Sequence, residues 1–189
     1  MIVIIFRNFI CLIGLIFISP LLIIASFFLF LEDGLPFFFK QERVGLDKRL
    51  FVIYKIRTMK KNSPQDGTHI LGGEFTLKIG KIIRKIKLDE FPQLINVMKG
   101  DLNIIGPRPG LPNQEDLYNA RLKKNIFNIK PGISGLSQVL GYDMSDPNRL
   151  AEIDSIYMQY QSLYIDFVIL VATFFKSPKK YLRHKFKIQ

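Results

Sequence analysis

The sequence predicts an α+β, mainly helical fold in which one membrane-inserted segment precedes a small polar domain. Three features predict it: an apolar run without charged residues, a β-hairpin pattern and several short helical patterns. The 189 residues suffice for one modest domain with a buried core. We divide the chain into a membrane segment at residues 1–31 and a domain at 32–189, which ends, from about residue 163, in an interfacial helix and a basic tail.

The composition limits the kinds of partner and metal site. Lys and Arg number 27 against 16 Asp and Glu, giving a net charge of +11, while 48% of the residues are hydrophobic. This combination argues against disorder and suits an anionic membrane surface, with nucleic acid as the competing partner. The single cysteine excludes a disulfide within the chain, and with two histidines it argues against cysteine- or histidine-based metal sites. A bound metal is therefore expected to be a hard cation held by carboxylates and phosphates.

The N-terminal apolar run extends from Phe9 to Leu31 and contains no charged side chain. As a helix it is about 35 Å long, against about 30 Å for the hydrocarbon core of a bilayer. Pro20 lies in its middle and predicts a kink, and the Ser19 hydroxyl is placed to satisfy a carbonyl that the proline releases. Cations flank both ends, Arg7 before the run and several after residue 39. Hydropathy leaves two alternatives open, a kinked transmembrane helix and a re-entrant hairpin.

A second apolar run covers Leu163 to Phe175. It is too short to cross a bilayer and contains Asp166, so we expect it to lie in the membrane interface. A lysine-rich tail follows, which either contacts lipid headgroups or is a solvated basic terminus.

Two strand patterns at residues 36–44 and 50–59 flank a turn at Gly45–Arg49 and predict a β-hairpin. The two-residue period places Lys55 and Arg57 on one face of the second strand, together with apolar residues. Partly buried cations require an anionic partner.

Beyond the hairpin, residues 62–73 form either a connector or a flap over a site. Residues 80–86 predict a basic helix that carries Arg84. In the following LDEFPQL segment, Asp89 is the expected N-cap, Glu90 is its neighbour and Pro92 falls in the first turn.

An acidic pair at a helix start is in most cases only a cap. The surrounding cations suggest a division of labour here, in which one carboxylate attacks phosphorus and the other holds a divalent cation. In the segment 106–110 (GPRPG), two prolines restrict the backbone around Arg108, whose guanidinium matches phosphate geometry or stands in a plain surface turn. The glycine-rich segment 131–135 is a weak candidate for lining a ligand with backbone amides.

A series of motifs in fixed order resembles the bacterial sugar transferases, also called monotopic phosphoglycosyl transferases. These motifs are SP in the apolar run, QERVG, YKIRTM, LDEFPQL, NVMKGD, GPRPG, PGISGLSQV and DxxYxxxxSxxxD. The resemblance implies a catalytic domain on the cytosolic face of a bacterial inner membrane and a re-entrant anchor. It implies transfer of a phosphosugar from a nucleoside diphosphate sugar, usually a UDP-sugar, to polyprenyl phosphate, with release of UMP.

The resemblance also implies site residues. Asp89 matches the nucleophile and Glu90 the Mg²⁺ ligand, while Lys55, Arg84 and Arg108 match positions near the phosphates. Arg57, two residues after Lys55, is included with these phosphate-binding candidates. Further candidates are Asp154, Asp166 and Gln138.

Four residues depart from the pattern that relatives often show. Leu77 stands in place of Thr and Lys87 in place of Ser or Thr, while Leu136 replaces Trp and Tyr142 replaces Arg. These departures leave the acidic pair intact, so the reaction class is better indicated than the donor sugar.

We therefore expect a membrane-associated phosphoglycosyl transferase acting early in the assembly of a surface polysaccharide or glycoconjugate. The alternative is a non-enzymatic basic module that binds anionic lipids, which leaves the acidic pair and GPRPG without a purpose. Nucleic-acid binding, a third interpretation, does not explain the bilayer segment. The sugar, the polyprenol length, the downstream pathway and the oligomeric state, a homodimer included, are left open by the sequence.

Overall fold

The computed structural model describes residues 2–64 and 74–188. Most of the segment 62–73, for which we expected a connector or a flap, therefore lies outside the described residues. The helices and strands are α1 (Ile2–Asp33), β1 (Phe38–Val44), β2 (Leu50–Ile56), α2 (Lys78–Lys85), α3 (Leu94–Lys99), β3 (Asn103–Ile105), α4 (Glu115–Lys123), β4 (Gly132–Ser134), α5 (Leu136–Leu140), α6 (Pro147–Tyr160), α7 (Leu163–Phe174) and α8 (Ser177–Phe186). Short 3₁₀ turns cover Leu46–Lys48, Leu88–Gln93 and Ile126–Asn128. The chain divides into two compact units, Met1–Gln41 with Val52–Gly100 and Glu42–Phe51 with Asp101–Gln189.

The predicted membrane segment is one long helix, α1, and its part from Ile4 to Asp33 is long and apolar enough to cross a membrane. Pro20 lies inside the helix. The Ser19 hydroxyl donates to the carbonyl of Ile16 at 2.8 Å, which is the carbonyl that the proline leaves without its usual amide partner. The predicted compensation for the proline is therefore confirmed.

Both ends of α1 contact other residues of the first unit. Near the N-terminus, Arg7 donates to the carbonyl of Met98, at the end of α3, over 3.4 Å. In the C-terminal part, Ala25 and Leu29 are buried in an apolar cluster with side chains of β2, α2 and the 3₁₀ turn that follows α2. Burial of a leucine side chain such as Leu29 contributes about 1.5–3 kcal/mol, and burial of Ala25 contributes less.

The predicted hairpin is confirmed: β1 and β2 form a two-stranded sheet. The N–H of Gly45 donates to the carbonyl of Arg49 at 2.8 Å and closes the turn. At its tip Asp47 and Lys48 have φ angles of 52° and 64°. Aspartate tolerates such left-handed backbone better than most residues.

In the second unit a parallel pair of short strands precedes the C-terminal helices. β3 and β4 are parallel, with Asn103 opposite Gly132 and Ile105 opposite Ser134. A Cβ on Gly132 would lie 2.1 Å from the amide nitrogen of Gly106, so the two backbones approach too closely for any side chain. In the segment 131–135, Gly132–Ser134 form β4, and the Gly132 amide is used by the Pro107 carbonyl, while the weak suggestion that the segment lines a ligand stays a prediction.

The core of the second unit joins β3 to α5, α6, α7 and α8. Ile165, Ile169 and Ala172 bury one side of α7, whereas Leu163, Phe167 and Phe174 are exposed on it. The helix expected at the second apolar run is therefore present, with an exposed apolar face. The basic tail forms α8.

Candidate active site

Asp89 and Glu90 lie in the first turn of the 3₁₀ segment Leu88–Gln93, in the first unit. The predicted N-cap at Asp89 was wrong: Lys87 is the N-cap, with a φ of 61°. Lys87 lies two residues after the end of α2 and starts the next turn, which places both acids inside that turn. Consecutive residues on such a turn point in different directions, so the two carboxyl groups can take different roles within one site.

Glu90 pairs with a lysine from the hairpin. Lys55 Nζ lies 3.2 Å from Glu90 Oε1, and the two side chains are 14% and 12% exposed. The anionic partner predicted for Lys55 is therefore Glu90. The structure also brings this cation to the acidic pair from a strand more than 30 residues earlier.

Asp89 is only 8% exposed. Burial raises the pKa of its carboxyl group. Lys55 and Arg84 oppose this effect because a positive charge favours the carboxylate, whereas the charge of Glu90 adds to it. Two carboxylates and two cations thus share one partly dry site, which suits a nucleophile beside charges that bind phosphate oxygens.

Thr58 holds Arg84 in place and was missed by the sequence reasoning as a site residue. Arg84 Nε donates to Thr58 Oγ1 at 2.7 Å. The carbonyl of Thr58 accepts the N–H of Leu77 at 3.0 Å, just before α2 begins. A Cβ on Gly80 would lie 2.3 Å from that same carbonyl oxygen, so α2 can pass this close only with glycine there. The signal in the sequence is the threonine of YKIRTM.

Arg57 contacts a different part of the protein from Lys55, although the two-residue period places both on one strand face. Its guanidinium pairs with Asp33 and donates to the carbonyls of Pro36 at 2.6 Å and Met59 at 3.2 Å. Its side chain is 6% exposed. Among the described contacts Arg57 therefore belongs to the end of α1, and none of them joins it to Asp89 or Glu90. Its predicted role in phosphate binding stays a prediction.

The second unit contains an arginine pair around the GPRPG turn. Arg108 is partly exposed between Pro107 and Pro109, which are both buried. Arg43, from QERVG, is buried and donates to the Pro109 carbonyl at 3.2 Å. Burial lowers the pKa of Arg43 to about 9, and the charge of Arg108 contributes to the same shift. Arg43 was also missed by the sequence reasoning, although it lies in one of the recognised motifs.

Asp154 is buried in the second unit, where other side chains of the protein surround its carboxyl group. Its Oδ2 lies 2.6 Å from Arg121 Nη2, its Oδ1 accepts from Ser137 at 2.9 Å, and the residue is 1% exposed. All three side chains are enclosed in the protein. Their arrangement points to a scaffold role for this site candidate.

The other two candidates of the second unit also have protein partners. Asp166 accepts a hydrogen bond from the Tyr157 hydroxyl at 2.8 Å, and burial raises the pKa of Asp166. Gln138 donates to the Ile133 carbonyl at 3.0 Å, while its side-chain oxygen is buried and has no hydrogen-bond partner within the described residues.

Two of the departures have a visible structural setting there. Leu136 is 1% exposed and belongs to the core. The Tyr142 ring makes cation–π contacts with Arg149 of α6 and Arg183 of α8. The central guanidinium carbon of each arginine lies 5.7 Å from the ring centroid.

The carboxylates suit a hard cation better than a transition metal. Within the described residues there is no group of three or more His, Cys, Asp or Glu side chains that could hold a metal by itself. Mg²⁺ is commonly bound through one or two carboxylates together with substrate phosphates, and the Glu90 carboxylate fits that pattern.

Comparison with known proteins gives the family. The family model described as bacterial sugar transferase matches residues 2–180. The chain belongs to the bacterial sugar transferase family. This bacterial sugar transferase is 40% identical over 144 residues to the uncharacterized sugar transferase EpsL of Bacillus subtilis, covering 76% of the chain and 70% of the relative.

Two further relatives carry names that state a reaction. The UDP-N-acetylgalactosamine-undecaprenyl-phosphate N-acetylgalactosaminephosphotransferase of Aeromonas hydrophila is 38% identical over 162 residues, which are 82% of this chain. The UDP-glucose:undecaprenyl-phosphate glucose-1-phosphate transferase of Caulobacter vibrioides is 34% identical over 166 residues, also 82% of this chain. The chain spans 38% of the length of the first relative and 61% of the length of the second.

Proposed function

We propose that the protein transfers a phosphosugar from a UDP-sugar to polyprenyl phosphate and releases UMP, as an early step in making a surface polysaccharide or glycoconjugate. The observation that carries the proposal is the buried Asp89 carboxyl group next to the Lys55–Glu90 ion pair and Arg84. The names of the Aeromonas and Caulobacter relatives support the two substrate classes. The chain spans only part of each of these relatives, so their donor sugars cannot be assigned to it. The donor sugar of this chain must be determined by experiment.

In the first half-reaction Asp89 is the nucleophile. One of its carboxylate oxygens bonds to the phosphorus that carries the sugar, and the bond from that phosphorus to the bridging oxygen breaks. UMP leaves with the bridging oxygen and its electron pair, and the enzyme retains an aspartyl phosphosugar. Asp89 must be ionised for this step, and the positive charges of Lys55 and Arg84 favour the ionised form.

Lys55, Arg84 and the Mg²⁺ ion expected at Glu90 offset the negative charge of the diphosphate. Glu90 is the residue expected to hold Mg²⁺, which when bound neutralises phosphate oxygens. Arg84 is held by Thr58 and keeps its positive charge near Asp89, where the transferred phosphate must lie. Preorganised charges of this kind lower the barrier without reorganising during the reaction.

In the second half-reaction a phosphate oxygen of polyprenyl phosphate attacks the same phosphorus. The bond to the Asp89 oxygen breaks, the carboxylate is regenerated and the product is a polyprenyl diphosphate sugar. A covalent intermediate lets a water-soluble donor and a lipid acceptor use one site in turn, so we expect ping-pong kinetics.

We also propose that α1 is a re-entrant anchor and that the catalytic residues lie at the cytosolic face of a bacterial inner membrane. The contact of Arg7 with Met98 supports it, because a straight crossing would place the two ends of α1 on opposite sides of the bilayer. The exposed apolar face of α7 and the lysines after it suit an interface rich in anionic lipids.

The test is to incubate purified protein with a panel of UDP-sugars and Mg²⁺, first without and then with polyprenyl phosphate. Intact mass should show a phosphosugar adduct with donor alone, peptide mapping should place it on Asp89, and UMP should be released. Asp89→Asn should form no adduct, because an amide is a far poorer nucleophile. Asp116→Asn, at an exposed aspartate of α4, is the matched control and should react normally.

Two results would reject the proposal. One is an adduct on another residue, and the other is full turnover by Asp89→Asn. Lipid binding that survives Asp89→Asn, with no UMP release from any donor, would instead support the non-enzymatic lipid-binding module.

A further inference from the structure

The N-terminus of α2 is capped by a residue from another part of the chain. Leu77, which precedes the helix, makes no side-chain cap hydrogen bond. Glu32, from the end of α1, replaces it: Oε1 accepts the N–H of Lys78 at 2.7 Å and Oε2 accepts the N–H of Ile79 at 3.0 Å. Both amides belong to the group that has no partner inside a helix. The end of the apolar helix therefore fixes the start of α2.

The other end of α2 carries the arginine of the candidate site. Arg84 lies in its last turn, bonds to Thr58 and contributes to the electrostatic environment of Asp89. Only about one and a half helical turns separate Arg84 from the capped amides. A change in where α2 begins therefore changes where the Arg84 guanidinium lies.

Apolar packing reinforces this link between α1 and α2. Leu29 is fully buried in the cluster that also contains Ile83 of α2 and Leu88, the residue before Asp89. The packing holds α1 against α2. The two Glu32 hydrogen bonds also fix the orientation of α2, because they require specific amides to face the carboxylate.

We propose that Glu32 is a positioning residue for the reaction: from the end of the membrane helix it sets the place of Arg84 relative to Asp89. This rests on the proposed roles of Asp89 and Arg84 in phosphosugar transfer. The site is then assembled correctly only while α1 stays packed against the rest of the first unit. Catalysis therefore depends on the position of the membrane helix.

The experiment measures the rate of adduct formation at saturating UDP-sugar in Glu32→Ala, alone and combined with Arg84→Met. Glu32→Ala alone should lower the rate about tenfold, since small displacements of a charge-stabilising group cost rate steeply. In the Arg84→Met background the same change should cost less than about twofold, because the two residues act through one group. Glu32→Asp, which keeps a carboxylate, should recover part of the rate. Glu74→Ala, at an exposed glutamate shortly before α2, is the control and should react as the wild type.

Hydrogen exchange at the amides of Lys78 and Ile79 gives a readout that does not need activity. Glu32→Ala should speed exchange there and leave α4 unchanged. Equal rate losses in both backgrounds would overturn the proposal, because they indicate general destabilisation, and so would unchanged exchange at the two amides. If the wild type forms no adduct, the proposed function fails and the positioning role for the reaction fails with it, while the exchange data still report whether the cap exists.

Discussion

The buried ion pair between Arg121 and Asp154 tests whether a motif residue serves the scaffold or the chemistry. The two side chains are 4% and 2% exposed and their atoms lie 2.6 Å apart. Removing one partner of such a pair leaves a buried charge without compensation and costs about 3–5 kcal/mol. At about 2–4 °C per kcal/mol for a chain of this size, Asp154→Asn and Arg121→Met should each lower Tm by about 6 °C or more.

Replacing both partners should behave differently from replacing one. In Arg121→Met/Asp154→Leu no charge remains buried, so we expect Tm to recover at least half of the loss of either single variant. Thermal unfolding in detergent measures Tm, and the adduct yield per folded molecule measures chemistry. The exposed Arg149–Glu152 pair is the matched control, because solvent screens it and breaking it by Glu152→Gln should leave Tm nearly unchanged. A fully stable Asp154→Asn protein without adduct would refute the scaffold role.

Two further predictions concern the candidate site. Because burial raises the pKa of Asp89, the rate of adduct formation should fall with decreasing pH already above the ordinary aspartate value of 3.8. Lys55→Met should move this acid limb to higher pH, because it removes a positive charge that favours the carboxylate, and an unchanged limb or one at lower pH would contradict the assignment. Gly80→Ala should lower the free energy of unfolding by about 1–3 kcal/mol and slow adduct formation, because its Cβ would lie 2.3 Å from a backbone oxygen. Lys81→Ala, at the exposed next residue, is the control and should change neither quantity.

Features that depend on neighbouring residues were predictable from the sequence. The Ser19 hydroxyl can reach only a few carbonyls of its own helix, and it bonds to the one that Pro20 releases. The hairpin follows from the two-residue pattern on either side of a short turn, and α2 follows from its helical spacing. In the first two cases the segment itself contains the residues that decide the structure, whereas for α2 the segment decides that a helix forms but not where it begins.

Features that depend on distant residues were not predictable. Nothing near Asp154 in the sequence indicates that Arg121 approaches it from another helix, so the acid reads equally well as a site residue. Glu32 caps a helix that begins 46 residues later, where the sequence offers only an apolar Leu77 before the first turn. The N-cap at Lys87 was missed for a local reason, because a left-handed lysine is rare and an aspartate two residues on is a better cap by preference.

The strand motif YKIRTM explains how one short segment serves two parts of the first unit. The two-residue period puts Lys55 and Arg57 on the same face, but β2 ends at Ile56, between them. Lys55 therefore reaches Glu90 from within the strand, while Arg57, already past its end, turns to Asp33 at the end of α1. We therefore expect replacement of Arg57 to loosen the contacts at the end of α1, whereas its role in phosphate binding stays a prediction.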